Sequence, residues 1–129
     1  MTSVILAPAI QQLIEESPKG VPEHLDPQGQ RDYLHLVSDL NHMRFGLPGP
    51  PVHEVTDHRV PVDEGEILAR IYRPAPTTTT PAPAPAHLTL HGGGWKLGSL
   101  TERASDAINR QRCRDAGVVV VAIDYRLAP

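Results

Sequence analysis

The chain has 129 residues, 40% of them hydrophobic, and a formal net charge of −3. This length allows one ordinary domain, although α/β enzymes commonly need about 200–250 residues for a single core. The charge leaves no basic face for a phosphate backbone, which argues against nucleic acid as a partner, and the single cysteine, Cys113, excludes an internal disulfide framework.

The N-terminal residues do not resemble a targeting signal. No lysine or arginine precedes Lys19, and Pro8 interrupts the apolar run that ends at Leu6. No stretch approaches the roughly 20 apolar residues that a membrane span requires. We therefore expect a cytoplasmic protein without a membrane span.

Residues 1–47 have a helical tendency that prolines and glycines interrupt. A first helix is indicated by Ile10, Leu13 and Ile14, which share one helical face. A second helix is predicted from Gln28 to Arg44, where apolar residues recur at helical spacing. We expect residues 1–47 to form a helical N-terminal segment and residues 48–129 to form a separate α/β region.

Two strands are predicted next. Valines 52, 55 and 60 mark a weakly patterned strand, and Ile67 to Arg73 a stronger one, with Glu64-Gly65 as the turn between them. So short a connection predicts an antiparallel pair. The following residues, 74–85, hold five prolines and four consecutive threonines, and we expect an extended surface loop there.

The rest of the chain predicts a strand, a glycine loop, a helix and a second strand. The strand is His87 to His91; the helix begins at Ser99, with Glu102 three residues on completing a capping box, and ends at Gly117. The continuous apolar run from Val118 to Ile123 is typical of a strand buried on both faces. A βαβ unit makes its two strands parallel, so the whole sheet is expected to be mixed and the fold class α/β.

Three successive glycines, 92 to 94, allow backbone N–H groups to converge on an anionic atom. A phosphate-binding loop of the Walker type would need Ser or Thr after Lys96, and a dinucleotide fingerprint would need Gly or Ala at position 97. Leu97 excludes both. The remaining interpretation is an oxyanion-hole loop of the kind found in lipases and esterases.

Four blocks resemble the α/β-hydrolase fold-3 family, the hormone-sensitive-lipase-like branch of the α/β-hydrolases. They span about residues 52–129 and include His91-Gly92-Gly93-Gly94-Trp95, Leu97-Gly98-Ser99, Gly117-Val118-Val119-Val120-Val121 and Asp124-Tyr125-Arg126-Leu127-Ala128-Pro129. The resemblance implies the N-terminal half of an α/β-hydrolase fold, with antiparallel first strands, then parallel βα units, and helical cap elements in residues 1–47. It also implies a serine carboxylic-ester hydrolase, with short-chain aliphatic esters as substrates.

The same resemblance assigns roles to residues of the loop. It implies that the N–H groups of Gly93 and Gly94 hold the negative oxygen of the transition state. It favours His91 as a residue that orders the loop, with a catalytic base as the alternative, and Trp95 as a border of the substrate pocket, with core packing as the alternative. Asp124 and the two residues after it are expected to brace the active-site loops.

The catalytic nucleophile has no candidate in this sequence. None of its serines stands between glycines in a Gly-x-Ser-x-Gly pattern; they are Ser3, Ser17, Ser38, Ser99 and Ser105. We therefore expect a truncated chain, with the nucleophile, acid and base beyond Pro129 and no activity of its own. The histidines lack ligand spacing, so neither a metal nor another cofactor is expected.

Two other functions remain open from the sequence. One is a non-catalytic α/β-hydrolase-like protein that binds a small acidic or ester-like ligand without turnover. The other is an interaction module that acts through the Pro/Thr-rich segment. The oligomeric state is not predicted.

Overall fold

The computed structural model describes residues 7–76 and 84–128. Residues 77–83, the middle of the predicted Pro/Thr-rich loop, lie outside the described residues. The elements in chain order are α1 (Pro8–Glu16), α2 (Pro27–Phe45), β1 (Glu54–Val62), β2 (Gly65–Arg73), β3 (Ala86–Leu90), α3 (Arg103–Ala116) and β4 (Val119–Asp124). Among the described residues, no helix is long and apolar enough to cross a membrane.

The predicted second helix is confirmed to within one residue at each end. α2 begins with Pro27 in its first turn, where a missing N–H costs nothing, and the carboxylate of Asp26 accepts a hydrogen bond from Gly29 N at 2.7 Å. At its other end, Gly46 N donates to His42 O at 2.8 Å. These local contacts set the two ends of α2.

The predicted antiparallel pair is also confirmed. β1 and β2 pair in register from Glu54 opposite Arg73 to Val62 opposite Gly65. The turn between them has positive φ at Glu64 (67°) and at Gly65 (137°), as a tight connection between twisted strands requires.

The four strands form one mixed sheet in the order β1-β2-β4-β3. β4 is antiparallel to β2 and parallel to β3, so the predicted parallel βαβ unit and mixed α/β sheet are confirmed. Gly117 ends α3 in the left-handed conformation (φ 63°), as predicted. Because β3 and β4 are parallel, their carboxyl ends lie at the same edge of the sheet.

The core lies between the sheet and α3. Tyr72, Val120 and Ala122 are buried on one sheet face and cluster with Leu100 and Cys113. The expectation that β4 is buried on both faces is wrong for the part of the chain described here. Its other face is only half-buried, and two β3 residues on that side, Leu88 and Leu90, are 65% and 60% exposed, since α3 packs against the opposite face.

The predicted capping box at the start of α3 is also wrong. The helix begins at Arg103, and no side chain of its own N-cap residue, Glu102, caps it. Instead, Asp39 of α2 accepts a hydrogen bond from Arg103 N at 2.8 Å, and Glu102 accepts one from Ser38 at 2.9 Å. Ser99 forms other hydrogen bonds. A residue distant in the chain therefore caps the N-terminus of the helix, where the local sequence predicts a neighbouring residue.

Candidate functional site

The glycine loop begins where β3 ends, at the carboxyl edge of the sheet. This is the edge at which open α/β sheets bind ligands. Gly93 has φ 124° and Gly94 has φ 60°, conformations that glycine adopts without a steric penalty. Trp95 also has positive φ, at 62°, which is unfavourable for a bulky residue and must be held by its surroundings.

A compact turn gives the loop its shape. Gly93 O accepts hydrogen bonds from Lys96 N at 3.2 Å and from Leu97 N at 3.1 Å. A Cβ at Gly93 would overlap the carbonyl oxygen of Leu97, whereas a Cβ at Gly94 would meet no atom within 4 Å. Gly93 is therefore required by space as well as by conformation, and Gly94 by conformation alone.

The N–H groups of Gly93 and Gly94 donate to no backbone or side-chain acceptor within residues 7–76 and 84–128. Gly94 lines an open cavity of about 340 Å³ together with apolar and aromatic neighbours, among them Leu90, Trp95 and Tyr125. Trp95 is 74% exposed, so core packing does not describe its position. Of these two N–H groups, the one at Gly94 therefore belongs to a residue that lines the cavity.

The side chain of His91 is only 5% exposed and joins the loop to the segment after β4. Its ring stacks on that of Tyr125, and its Nδ1 lies 2.9 Å from Gly92 O. Its Nε2 lies 3.3 Å from an Asp124 oxygen, without the geometry of a hydrogen bond. Each ring nitrogen therefore has an oxygen atom of the protein close to it.

Asp124 and Tyr125 contact the loop and the segment before α3. The carboxylate of Asp124 accepts hydrogen bonds from Leu100 N at 3.0 Å and from Ser99 Oγ at 3.2 Å. The Tyr125 hydroxyl donates to His91 O at 2.8 Å. Arg126 instead pairs with Glu64 at 3.3 Å on the surface, so it does not join this group.

Sequence reasoning missed Arg31, which reaches the loop from α2. Its Nε donates to Lys96 O at 3.0 Å, and its Nη2 donates to Ala128 O. Ala128 N in turn donates to Trp95 O at 2.7 Å. An arginine on a helix surface carries no local signal of such contacts, because they connect residues 65 and 97 positions apart in the chain.

A second polar cluster lies under α3. The Arg70 guanidinium hydrogen-bonds both carboxylate oxygens of Asp57, which holds the pKa of Asp57 below its ordinary value. The Tyr72 hydroxyl donates to Asp106 at 3.0 Å, and burial, together with the Asp106 charge, raises the pKa of Tyr72 to about 12. Arg110 also bonds Asp106, so the positive and negative charges of this cluster pair with one another.

No group of three or more His, Cys, Asp or Glu residues suited to a metal ion occurs among the described residues.

A family model described as alpha/beta hydrolase fold matches residues 87–129. The carboxylic ester hydrolase LipN of Mycobacterium tuberculosis is 46% identical over 98 residues, which are 73% of this chain and 24% of that protein. An arylesterase of Saccharolobus solfataricus is 35% identical over 83 residues, 64% of this chain and 25% of the relative. The chain thus spans about a quarter of the length of these curated relatives.

Solved structures give the same result for the fold. An esterase of Pyrobaculum calidifontis superposes with a TM-score of 0.72 at 32% identity, covering 97% of this chain and 37% of that one. A thermostable carboxylesterase cloned from a metagenomic library superposes with a TM-score of 0.67 at 35% identity, covering 84% of this chain and 34% of its own.

Proposed function

Because the chain belongs to the α/β-hydrolase fold-3 family, we propose that it forms the oxyanion-hole part of a carboxylic-ester hydrolase. The similar proteins named above are esterases by description. The observation that carries the proposal is the pair of N–H groups at Gly93 and Gly94, which donate to no acceptor among the described residues and stand at the carboxyl end of β3.

The chemistry follows from the charge that develops during ester cleavage. When a serine attacks the carbonyl carbon, the carbonyl oxygen becomes negative, and donors already in place stabilise it without reorganising. Gly93 and Gly94 supply two such donors, and the residue after the nucleophile supplies a third. One donor of this kind contributes about 2.7–4 kcal/mol to transition-state stabilisation.

The other catalytic groups are proposed to lie outside residues 1–129. Asp124, whose carboxylate lies 3.3 Å from His91 Nε2, already accepts hydrogen bonds from Ser99 and Leu100, which supports a bracing role rather than that of the catalytic acid. The buried ring of His91, which stacks on Tyr125 and has its Nδ1 2.9 Å from Gly92 O, supports loop ordering rather than base catalysis. The chain by itself is proposed to be inactive and cytoplasmic, with helices 8–16 and 27–45 as cap elements.

The test is to express the complete reading frame that contains these residues and to measure hydrolysis of p-nitrophenyl acetate. Turnover, together with a phosphonate adduct on a serine flanked by Gly-x and x-Gly, supports the proposal. Tight ester binding without turnover, and with that serine replaced, would identify the non-catalytic binding protein instead.

Two alanine variants separate the oxyanion hole from general strain. Gly94→Ala and Gly117→Ala impose the same change at nearly equal φ, 60° and 63°, and both positions are open. Only Gly94→Ala displaces a proposed donor, so kcat/KM should fall by up to about 10²–10³-fold for Gly94→Ala and stay nearly unchanged for Gly117→Ala. Equal losses in the two variants would contradict the assignment.

A further inference from the structure

We propose that Arg31 is a positioning residue for the oxyanion-hole loop, which it fixes from outside by holding two backbone carbonyls at once. The structural part of this inference rests on the contacts of Arg31. Its consequence for catalysis rests on the proposed function. It gives the N-terminal helix α2 a role in forming the site, separate from any role in covering substrate.

The contacts form a closed set. Arg31 donates to the carbonyl oxygens of Lys96 and Ala128, and Ala128 N donates to Trp95 O. The planar guanidinium suits this task, because its N–H groups form a rigid fork that reaches two acceptors in one plane. In the described part of the chain, no other side chain donates to either carbonyl.

Lys96 connects this set to one of the two proposed donors, the N–H of Gly94. Its N–H donates to Gly93 O at 3.2 Å, and its C=O accepts from Arg31 at 3.0 Å. Both sides of the residue are thus held, one by the turn and one by α2. Gly93 O and the Gly94 N–H belong to one planar peptide group. Holding Lys96, which donates to Gly93 O, therefore holds the direction of the Gly94 N–H.

Trp95 shows why an external hold is needed. A bulky residue at φ 62° is in a sparsely populated conformation, which persists only when its surroundings determine it. Its side chain is 74% exposed and supplies little packing. Its backbone is held on one side by the turn hydrogen bonds to Gly93 O and on the other by the contacts through Ala128 and Arg31.

The sequence provides two unique reporters for a test on the 129-residue chain. Trp95 is its single tryptophan and lies in the loop, whereas Cys113 is its single cysteine and is fully buried in the core. The fluorescence anisotropy of Trp95 reports loop order. Reaction of Cys113 with a thiol reagent reports global unfolding.

Arg31→Gln should lower the fluorescence anisotropy of Trp95 and make the amide proton of Lys96 exchange roughly five- to tenfold faster, because hydrogen bonds that hold the loop are lost. Cys113 should stay protected. Arg31→Lys keeps the charge but lacks the fork, so it should resemble Arg31→Gln. Arg59→Gln, the same change at an exposed β1 position, should match the wild type.

The positioning role of Arg31 is overturned if the loop measurements of Arg31→Gln and Arg31→Lys equal those of the wild type. It is overturned as well if Cys113 becomes reactive in both variants, since the contact would then stabilise the fold as a whole. A reactive Cys113 in the wild type would also overturn it, since the packed structure would then be absent. None of these readouts needs ester turnover. If the Arg31 variants loosen the loop but the complete protein hydrolyses no ester, the positioning role of Arg31 stands and the proposed function is rejected.

Discussion

The imidazole ring of His91 lies nearly parallel to the phenol ring of Tyr125, with centroids 4.3 Å apart and an interplanar angle of 9°. The same two residues meet a second time through the Tyr125 hydroxyl, which donates to His91 O at 2.8 Å. One aromatic residue after β4 therefore holds both the side chain and the backbone of the residue that opens the glycine loop.

Substitution of Tyr125 should separate these two contacts. Tyr125→Phe keeps the stacking and loses the hydroxyl bond, so it should lower the free energy of unfolding by about 0.5–1.5 kcal/mol. Tyr125→Ala loses the stacking too and should cost about 0.5–1.5 kcal/mol more, beyond the area it exposes. Urea unfolding measures both. If Tyr125→Phe proved as destabilising as Tyr125→Ala, the stacked rings would contribute nothing.

Alanine at Gly93 should be more disruptive than alanine at Gly94. At Gly94 the variant carries only the cost of left-handed backbone, about 1–2 kcal/mol. At Gly93 it also places a methyl group on the Leu97 carbonyl oxygen, so the turn must open. Trp95 fluorescence and thermal unfolding of the two variants give the comparison, and a Gly93→Ala protein with an unaltered Trp95 spectrum would contradict it.

Tyr72 should make the chain sensitive to alkaline pH. Its pKa is raised to about 12 by burial, then by the charge of Asp106, whereas an unfolded tyrosine titrates near about 10. The folded state thus holds the proton more strongly, so the stabilisation is fully present below about pH 10 and is lost as the pH rises toward about 12. The loss is on the order of 2 kcal/mol.

Tyr72→Phe tests this pH dependence by urea unfolding at pH 7 and across the alkaline range. The variant should be less stable at pH 7, because the bond to Asp106 is gone, yet should lose less stability above pH 10. Tyr33→Phe serves as the control and should keep the wild-type profile. An unchanged alkaline loss in Tyr72→Phe would assign it to another group.

Cys113 should resist thiol reagents while the chain is folded. It is fully buried, and burial raises the pKa of its thiol, so both access and thiolate formation are suppressed. Ellman's reagent should therefore react in a single slow phase in buffer and rapidly in denaturant. Rapid reaction in buffer would mean that α3 does not pack on the sheet.

Local patterns predicted the elements that local physics determines. The β1–β2 pair, the parallel β3–β4 unit and the left-handed Gly117 all follow from turn residues, apolar periodicity and glycine conformation. The predicted cap at the start of α3 was wrong because Asp39, 64 positions away, caps the helix in place of Ser99. Burial on both faces of β4 was wrong because a strand's composition does not say which faces are covered.

The candidate site divides in the same way. The glycine triplet and its neighbours were identified from the sequence, since their residue types are needed for an anion-holding loop. Arg31 was not, because a charged residue on a helix usually faces solvent and only the packed structure brings it to Lys96 and Ala128. Contacts across such distances in the chain leave no periodicity to detect.

The strand order also determines the order in which the strands can pair during synthesis. β1 and β2 can pair as soon as both leave the ribosome, but among the strands described here β3 has no partner until β4 arrives between it and β2. The glycine loop, which lies between β3 and α3, therefore lacks its supporting contacts until residues about 30 positions downstream are synthesised. A nascent chain that stalls before Val119 would expose that unpaired strand to chaperones and proteases.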